Sequence, residues 1–198
     1  MKEQLLISVG REFGSGGHEI AEKLAKNFGI KLYDRNLLDQ MFEGNKKLTR
    51  QMDRFDEQLP KMIIHRRVRG FSNSMEENLA HMQFDFIKKE AEKGESFVIV
   101  GRCGETVLRD YKELASFFIL GSMEDRILRI MKKYHLSKKD AISKIERHDS
   151  KRKKYHNLYA DWKWGDSRGY DLCINSGWLG VDGTVRILSE YINARREI

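Results

Sequence analysis

The sequence predicts an α/β domain built on a parallel sheet of about five strands with helices on both faces. Two continuous apolar runs, FVIVGR at 97–102 and ASFFIL at 115–120, read as strands covered on both faces, and as the central ones. Short apolar runs alternate along the chain with segments of helical period. A glycine-bearing segment, REFGSGGH, joins the first apolar run to the first helical one. At 198 residues, a single domain spanning 1–198 is the simplest organisation.

The elements follow in order. LLISVG at 5–10 is a strand, and HEIAEKLAKNFG places Ile20, Leu24 and Phe28 at steps of four, with Ala21 and Ala25 beside them and Gly29 as the stop. IKLYD at 30–34 is a second strand. Residues 35–95 are mostly helical in pattern and strongly charged, with breaks near Gly44, Pro60 and 70–74, so they form a helical excursion from the sheet. Ser122 and Ser137 are N-caps of two helices, Asp125 lying in the first turn of the earlier one. YDLCIN at 170–175 closes the sheet, and GTVRILSEYINARR is a last helix with Val185, Leu188 and Ile192 on one side.

Composition narrows the function. Lys and Arg number 37 against 30 Asp and Glu, a net charge of +7, so an anionic partner is expected. The basic residues are scattered apart from a dense stretch at 132–156, which argues against nucleic acid, whose binders carry a continuous basic face with aromatics for stacking. Only Cys103 and Cys173 are present, too few for a disulfide framework, and the N-terminal apolar run is too short for a signal peptide or a membrane span. A cytoplasmic location is the expectation. Oligomeric state has no signal here.

The segment at 11–18 carries the chemistry. A glycine-rich turn between strand and helix lets backbone N–H groups converge on phosphate oxygens while the helix N-terminus adds a favourable dipole. Gly14, Ser15, Gly16, Gly17 and His18 stand where that geometry needs them. A turn without a ligand is the competing reading of so short a pattern.

GSGGHE resembles the P-loop of nucleoside monophosphate kinases, GSGKGT, and matches it at Gly14, Ser15 and Gly16. The lysine position is Gly17, and His18 and Glu19 stand where the hydroxyl would be. One lost donor of this kind costs about 2.7–4 kcal/mol of transition-state stabilisation. Arg11 is the candidate replacement, with a surface pair to Glu12 as its bland alternative; Arg11→Ala should then lower turnover and Gly17→Lys restore part of the rate.

Three further segments resemble the cytidylate kinase-like family. Asp34 in LYDRNLL resembles the acidic residue of the acceptor site, with Arg35 beside it on the acceptor side, although Gln40 stands where an arginine is expected. VIVGRCGETVL resembles VAEGRDIGTVV, which implies that Arg102 faces the acceptor's phosphate; Val100 and Cys103 replace the acidic residues there, leaving the metal ligands unknown. Cys103 itself reads as a packed small residue, because no neighbouring base is evident in the sequence. IERHDSKRKKYH resembles a lid segment within 137–160, with Arg147, Asp149, Ser150 and Arg152 in its spacing. YDLCINSGWLGVDG resembles the closing strand and turn of the same family, which implies Asn175, Ser176 and Gly177 as candidate base contacts.

The resemblance therefore implies a P-loop NTPase-like sheet with a helical acceptor-side insertion and a basic lid. Its activity is transfer of a phosphoryl group from ATP, with Mg2+, to a small phosphate-bearing acceptor such as CMP. Arg11, Asp34, Arg147 and Arg152 are the expected catalytic groups, and Arg35, Arg102 and Asp149 the acceptor contacts. Three alternatives stay open: a small-metabolite or antibiotic kinase using His65, Arg66, Arg67 and Arg69; a nucleotide-binding module with little turnover; and, on charge alone, a nucleic-acid binder.

Overall fold

The computed structural model describes residues 3–34, 36 and 75–197. Arg35, Gln40, His65, Arg66, Arg67 and Arg69 lie outside the described residues, as does most of the helical excursion at 35–95.

Five parallel strands form one sheet: β1 (Leu6–Arg11), β2 (Lys31–Tyr33), β3 (Phe97–Val100), β4 (Leu114–Leu120) and β5 (Leu172–Asn175), in the order β2-β3-β1-β4-β5. The two long apolar runs are interior strands as expected, but they flank β1, which takes the centre. Leu6 pairs with Phe97 on one side and Leu114 on the other.

Alternation along β1 divides the core. Leu5, Ile7 and Val9 pack with Val98, Val100, Phe117 and Ile119 beneath α1 (Gly17–Phe28) and α6 (Ser176–Arg196). Leu6 joins Phe97, Ile99 and Leu114 on the opposite face, with Ile87 and Ala91 of α2 (Met75–Glu92) and with Leu108. Helices thus cover both faces, because each interior strand is apolar on both sides.

α1 buries Ile20, Ala21, Leu24 and Ala25, and its end is capped by the Gly29 amide bonding to Ala25 and Lys26 carbonyls. A short α3 (Gly104–Val107) follows β3. In α4 (Met123–Tyr134) the Asp125 amide donates to Ser122 Oγ, and in α5 (Lys138–Tyr159) the Asp140 amide donates to Ser137 Oγ. α5 is one 22-residue helix that spans nearly all of the expected lid segment.

The last helix starts earlier than its periodicity indicates. Asn175 Oδ1 accepts from the Gly177 amide and opens α6 at Ser176, while a kink at Gly180 separates that first turn from the periodic part. Among the described residues, no helix is long and apolar enough to cross a membrane.

From β1 the chain moves through α1 to the β2 edge, and from β3 it crosses to β4 on the other side of β1. The carboxyl end of β1 is therefore a topological switch point, where open α/β sheets bind their ligands.

Candidate active site

The loop after β1 sits at that switch point. Gly14 and Gly16 have φ of 89° and 79°, a region that side chains disfavour, and Gly16 is the N-cap of α1 without any side-chain cap. Ser15 turns inward: its hydroxyl donates to the Glu12 carbonyl at 2.9 Å and accepts from the Gly17 amide at 3.3 Å. Among the described residues, the amides of Gly14 and Gly16 find no acceptor. Two unclaimed N–H groups at the N-terminus of a 12-residue helix make an anion-binding geometry.

Gly17 is buried, and its size has a specific cause. A Cβ there would lie 2.5 Å from Arg11 Cβ and 3.3 Å from Ile119 Cβ. The Arg11 side chain fills the space that a side chain at 17 would need, so Gly17→Lys collides with the residue meant to be its substitute. The expected rescue of Arg11→Ala by Gly17→Lys meets the same obstacle, because alanine keeps the Cβ at position 11. Arg11 is the last residue of β1 and half-buried, and its guanidinium runs against Gly101 at the end of β3. It does not make the surface pair with Glu12, whose carboxylate accepts from the Gly121 amide at 3.0 Å and faces Arg126 at 3.4 Å.

Arg126 fastens the loop to α4 and α5. Its side chain is 5% exposed, its Nε donates to the Phe13 carbonyl at 2.9 Å, and its Nη2 pairs with Asp149. Asp149 in turn accepts from the Phe13 amide at 2.8 Å. The Phe13 ring stacks on His148 at 4.1 Å, with the Arg152 guanidinium 5.4 Å from its centroid. Arg152 also donates to the Arg11 carbonyl at 3.1 Å.

Burial, and then the charges of Arg152, Lys144, Arg147 and Lys151, lower the His148 pKa. Arg129, one turn after Arg126, brings its guanidinium against Gly16 and pairs with Glu19 at 3.4 Å. Arg126 and Arg129 belong to no motif in the sequence. Their spacing of three on one helix face was the available signal.

Asp34, just past β2, faces His18 across the loop mouth at 3.8 Å, and His18 also meets Glu22 at 3.3 Å. Arg102 lies over the Tyr155 ring at 4.9 Å, and burial pushes that phenol up to about 12. Arg102 thus joins the end of β3 to α5, while Arg147 on the same helix is exposed. Asn175 is a cap, as described, but the next residue ties its turn to the loop: Ser176 Oγ donates to the Ser15 carbonyl at 2.5 Å and the Leu120 carbonyl at 3.1 Å. Arg11, Arg152, Asp149 and the 14–18 segment are therefore together, with Asp34 adjoining through His18.

Cys103 is buried as expected, but the expectation of no neighbouring base is overturned. Glu105 and His156 stand beside it, His156 arriving from α5. Burial first, and then the Glu105 charge, push the thiol well above its ordinary range, so it is no nucleophile.

A sequence profile of the cytidylate kinase-like family matches residues 6–177. A cytidylate kinase of Pyrococcus horikoshii is 26% identical over 194 residues, which cover 97% of this chain and 90% of that protein. A crystal structure of an uncharacterized protein from Eubacterium ventriosum is 38% identical and superposes with a TM-score of 0.77, covering 96% of this chain and 99% of that one. Shikimate kinase from Bacteroides thetaiotaomicron, at 12% identity and a TM-score of 0.52, shares the fold, with 96% of this chain and 98% of that one covered. Five parallel strands in this order, the loop at the carboxyl end of β1 and a match over most of the length lead to one assignment: the chain belongs to the cytidylate kinase-like family.

Proposed function

We propose that the protein transfers the terminal phosphoryl group of ATP to a small phosphate-bearing acceptor, a nucleoside monophosphate and CMP before others. The observation that carries this reading is the cationic collar of the glycine loop. Arg11 lies against Gly17, Arg129 against Gly16, and Arg152 bonds the Arg11 carbonyl and covers the Phe13 ring, while the Gly14 and Gly16 amides accompany them.

In this reading the amides of 14–18 hold the donor's phosphates, and Arg11, with the lid arginines Arg147 and Arg152, supplies the charge that a lysine at 17 would bring. An acceptor oxygen attacks the terminal phosphorus, the bond to the bridging oxygen breaks, and ADP leaves. Asp34, Arg35 and Arg102 take the acceptor, Asp149 holds the lid helix to the loop, and Asn175 lies near the donor's base.

Mg2+ usually keeps several waters and takes one or two carboxylates plus substrate phosphates. Asp34 at the loop mouth suits that limited role. Glu12 is engaged by Arg126 and the Gly121 amide, and the Ser15 hydroxyl points into its own loop. When bound, the ion would neutralise charge developing between the outer phosphates.

The test is turnover of labelled ATP against a panel of nucleoside monophosphates and hydroxylated small acids, with and without magnesium. CMP phosphorylation supports the reading, and transfer only to a small acid moves the chain to a metabolite kinase. Binding of ATP with no transfer to any acceptor makes it a nucleotide-binding module instead.

A further inference from the structure

Behind Arg102, on the α3 side of the sheet, lies a polar cluster that the phosphotransfer reading does not use. Cys103, Glu105 and His156 are all buried, and one ligand atom of each lies within 4.8 Å of the other two. His156 Nε2 and Glu105 Oε1 are 2.8 Å apart, and the Tyr170 hydroxyl is 3.3 Å from the same ring nitrogen. The other carboxylate oxygen of Glu105 accepts from Ser8 Oγ at 3.4 Å, and Thr106 Oγ1 donates to the first at 3.4 Å.

The histidine is not satisfied by this arrangement. Its side chain is 8% exposed, and among the described residues Nδ1 has no partner. A neutral ring donating from Nε2 leaves the Nδ1 lone pair buried without a donor, and a protonated ring leaves a buried N–H without an acceptor. Either state carries a desolvation cost that native interiors usually avoid.

The donor set selects an occupant. A thiolate and a carboxylate bring two negative charges and a neutral imidazole brings none, so a divalent cation makes the buried cluster electrically neutral. Sulfur and imidazole nitrogen favour zinc-type ions, whereas magnesium prefers oxygen and retains water. Zinc bond lengths of about 2.0–2.3 Å place ligand atoms roughly 3.3–3.6 Å apart, so three atoms within 4.8 Å close on an ion by an adjustment on the order of 1 Å.

We propose that Cys103, Glu105 and His156 form a binding site for a thiophilic divalent transition-metal ion of the zinc class. On binding, the Cys103 S–H bond is lost, its proton goes to solvent, and the sulfur lone pair bonds the ion. Glu105 gives a carboxylate oxygen, His156 a ring nitrogen, and the Tyr170 hydroxyl stands beside them as an outer partner. The ion pins α5 to the turn after β3. In that turn Arg102 and Cys103 hold left-handed backbone, with φ of 58° and 52°, a conformation that needs support from its surroundings.

The experiment is a titration of the chelator-stripped full chain with Co2+, followed by Zn2+. The expected result is a thiolate-to-cobalt charge-transfer absorption that saturates at one equivalent, is bleached by one equivalent of Zn2+, and is untouched by millimolar Mg2+. It persists in Cys173→Ser and disappears in Cys103→Ser and His156→Gln that retain a wild-type circular dichroism spectrum. Absence of the band in the wild type, its survival in Cys103→Ser, or its loss in Cys173→Ser overturns the proposal. Should the variants at 103 and 156 not fold, anomalous scattering from zinc-loaded wild-type crystals decides. A peak bonded to Cys103 Sγ and His156 supports the site, and a peak elsewhere or none refutes it.

Discussion

Replacing Gly17 by alanine tests the packing argument for the missing lysine directly. Gly17 is the first residue of α1 and its φ is not positive, so backbone preference alone favours alanine by about 0.5–1 kcal/mol. Packing opposes it. The new methyl lies 2.5 Å from Arg11 Cβ, against the roughly 3.5–4.0 Å at which carbon atoms rest, and Ile119 Cβ at 3.3 Å blocks retreat. Overpacking of this kind costs about 1–3 kcal/mol. Gly17→Ala is therefore expected to lower stability, by roughly 2–4 °C in Tm per kcal/mol for a chain of this size.

In an Arg11→Gly background the colliding carbon is gone, so the same substitution should become neutral or stabilising, a coupling within the range of about 0.5–3 kcal/mol seen for residues in contact. Urea midpoints at constant m give all four corners of the cycle. An equal effect of Gly17→Ala in both backgrounds, or a gain in the wild type, would refute the account of why residue 17 is glycine.

Arg126→Met removes the partner of Glu12, Asp149 and the Phe13 carbonyl, and should cost about 3–5 kcal/mol, the range for breaking a buried ion pair, read from denaturant unfolding. Its failure to exceed the cost of an exposed substitution would remove Arg126 from its role as a clamp. The lowered His148 pKa sets a pH dependence: the unfolded chain takes up the proton first, so stability is complete above about 6.5 and falls as pH drops from there toward the folded value. His148→Phe keeps the stack on Phe13 and should flatten that decline in a pH series of Tm. Arg11→Ala and Arg152→Ala should each lower phosphoryl transfer by about 10² to 10³, the loss typical of one transition-state donor, and unchanged rates would place the compensating charge elsewhere.

Local signals made most of the sheet legible in the sequence. LLISVG, FVIVGR and ASFFIL are apolar on both faces, Ser122 and Ser137 cap through their own next turn, and Gly29 ends α1 where its pattern stops. The position of the glycine loop between β1 and α1 was legible for the same reason. What escaped depends on residues far apart in the chain: Arg126 reaches Phe13 across 113 positions, and His156 reaches Glu105 across 51. Periodicity does not encode such approaches, so Cys103 read as isolated when it lies in a cluster. The early start of α6 escaped because its Asn175 cap lies before a glycine kink that interrupts the helical pattern.

A crystal structure with a non-hydrolysable ATP analogue and Mg2+ would locate the bound phosphates relative to the glycine loop. The expected result is phosphate oxygens within hydrogen-bond distance of backbone amides of residues 14–18, with Arg11 or Arg152 turned to the same oxygens. A nucleotide bound elsewhere, with the Gly14 and Gly16 amides still lacking an acceptor, would contradict it.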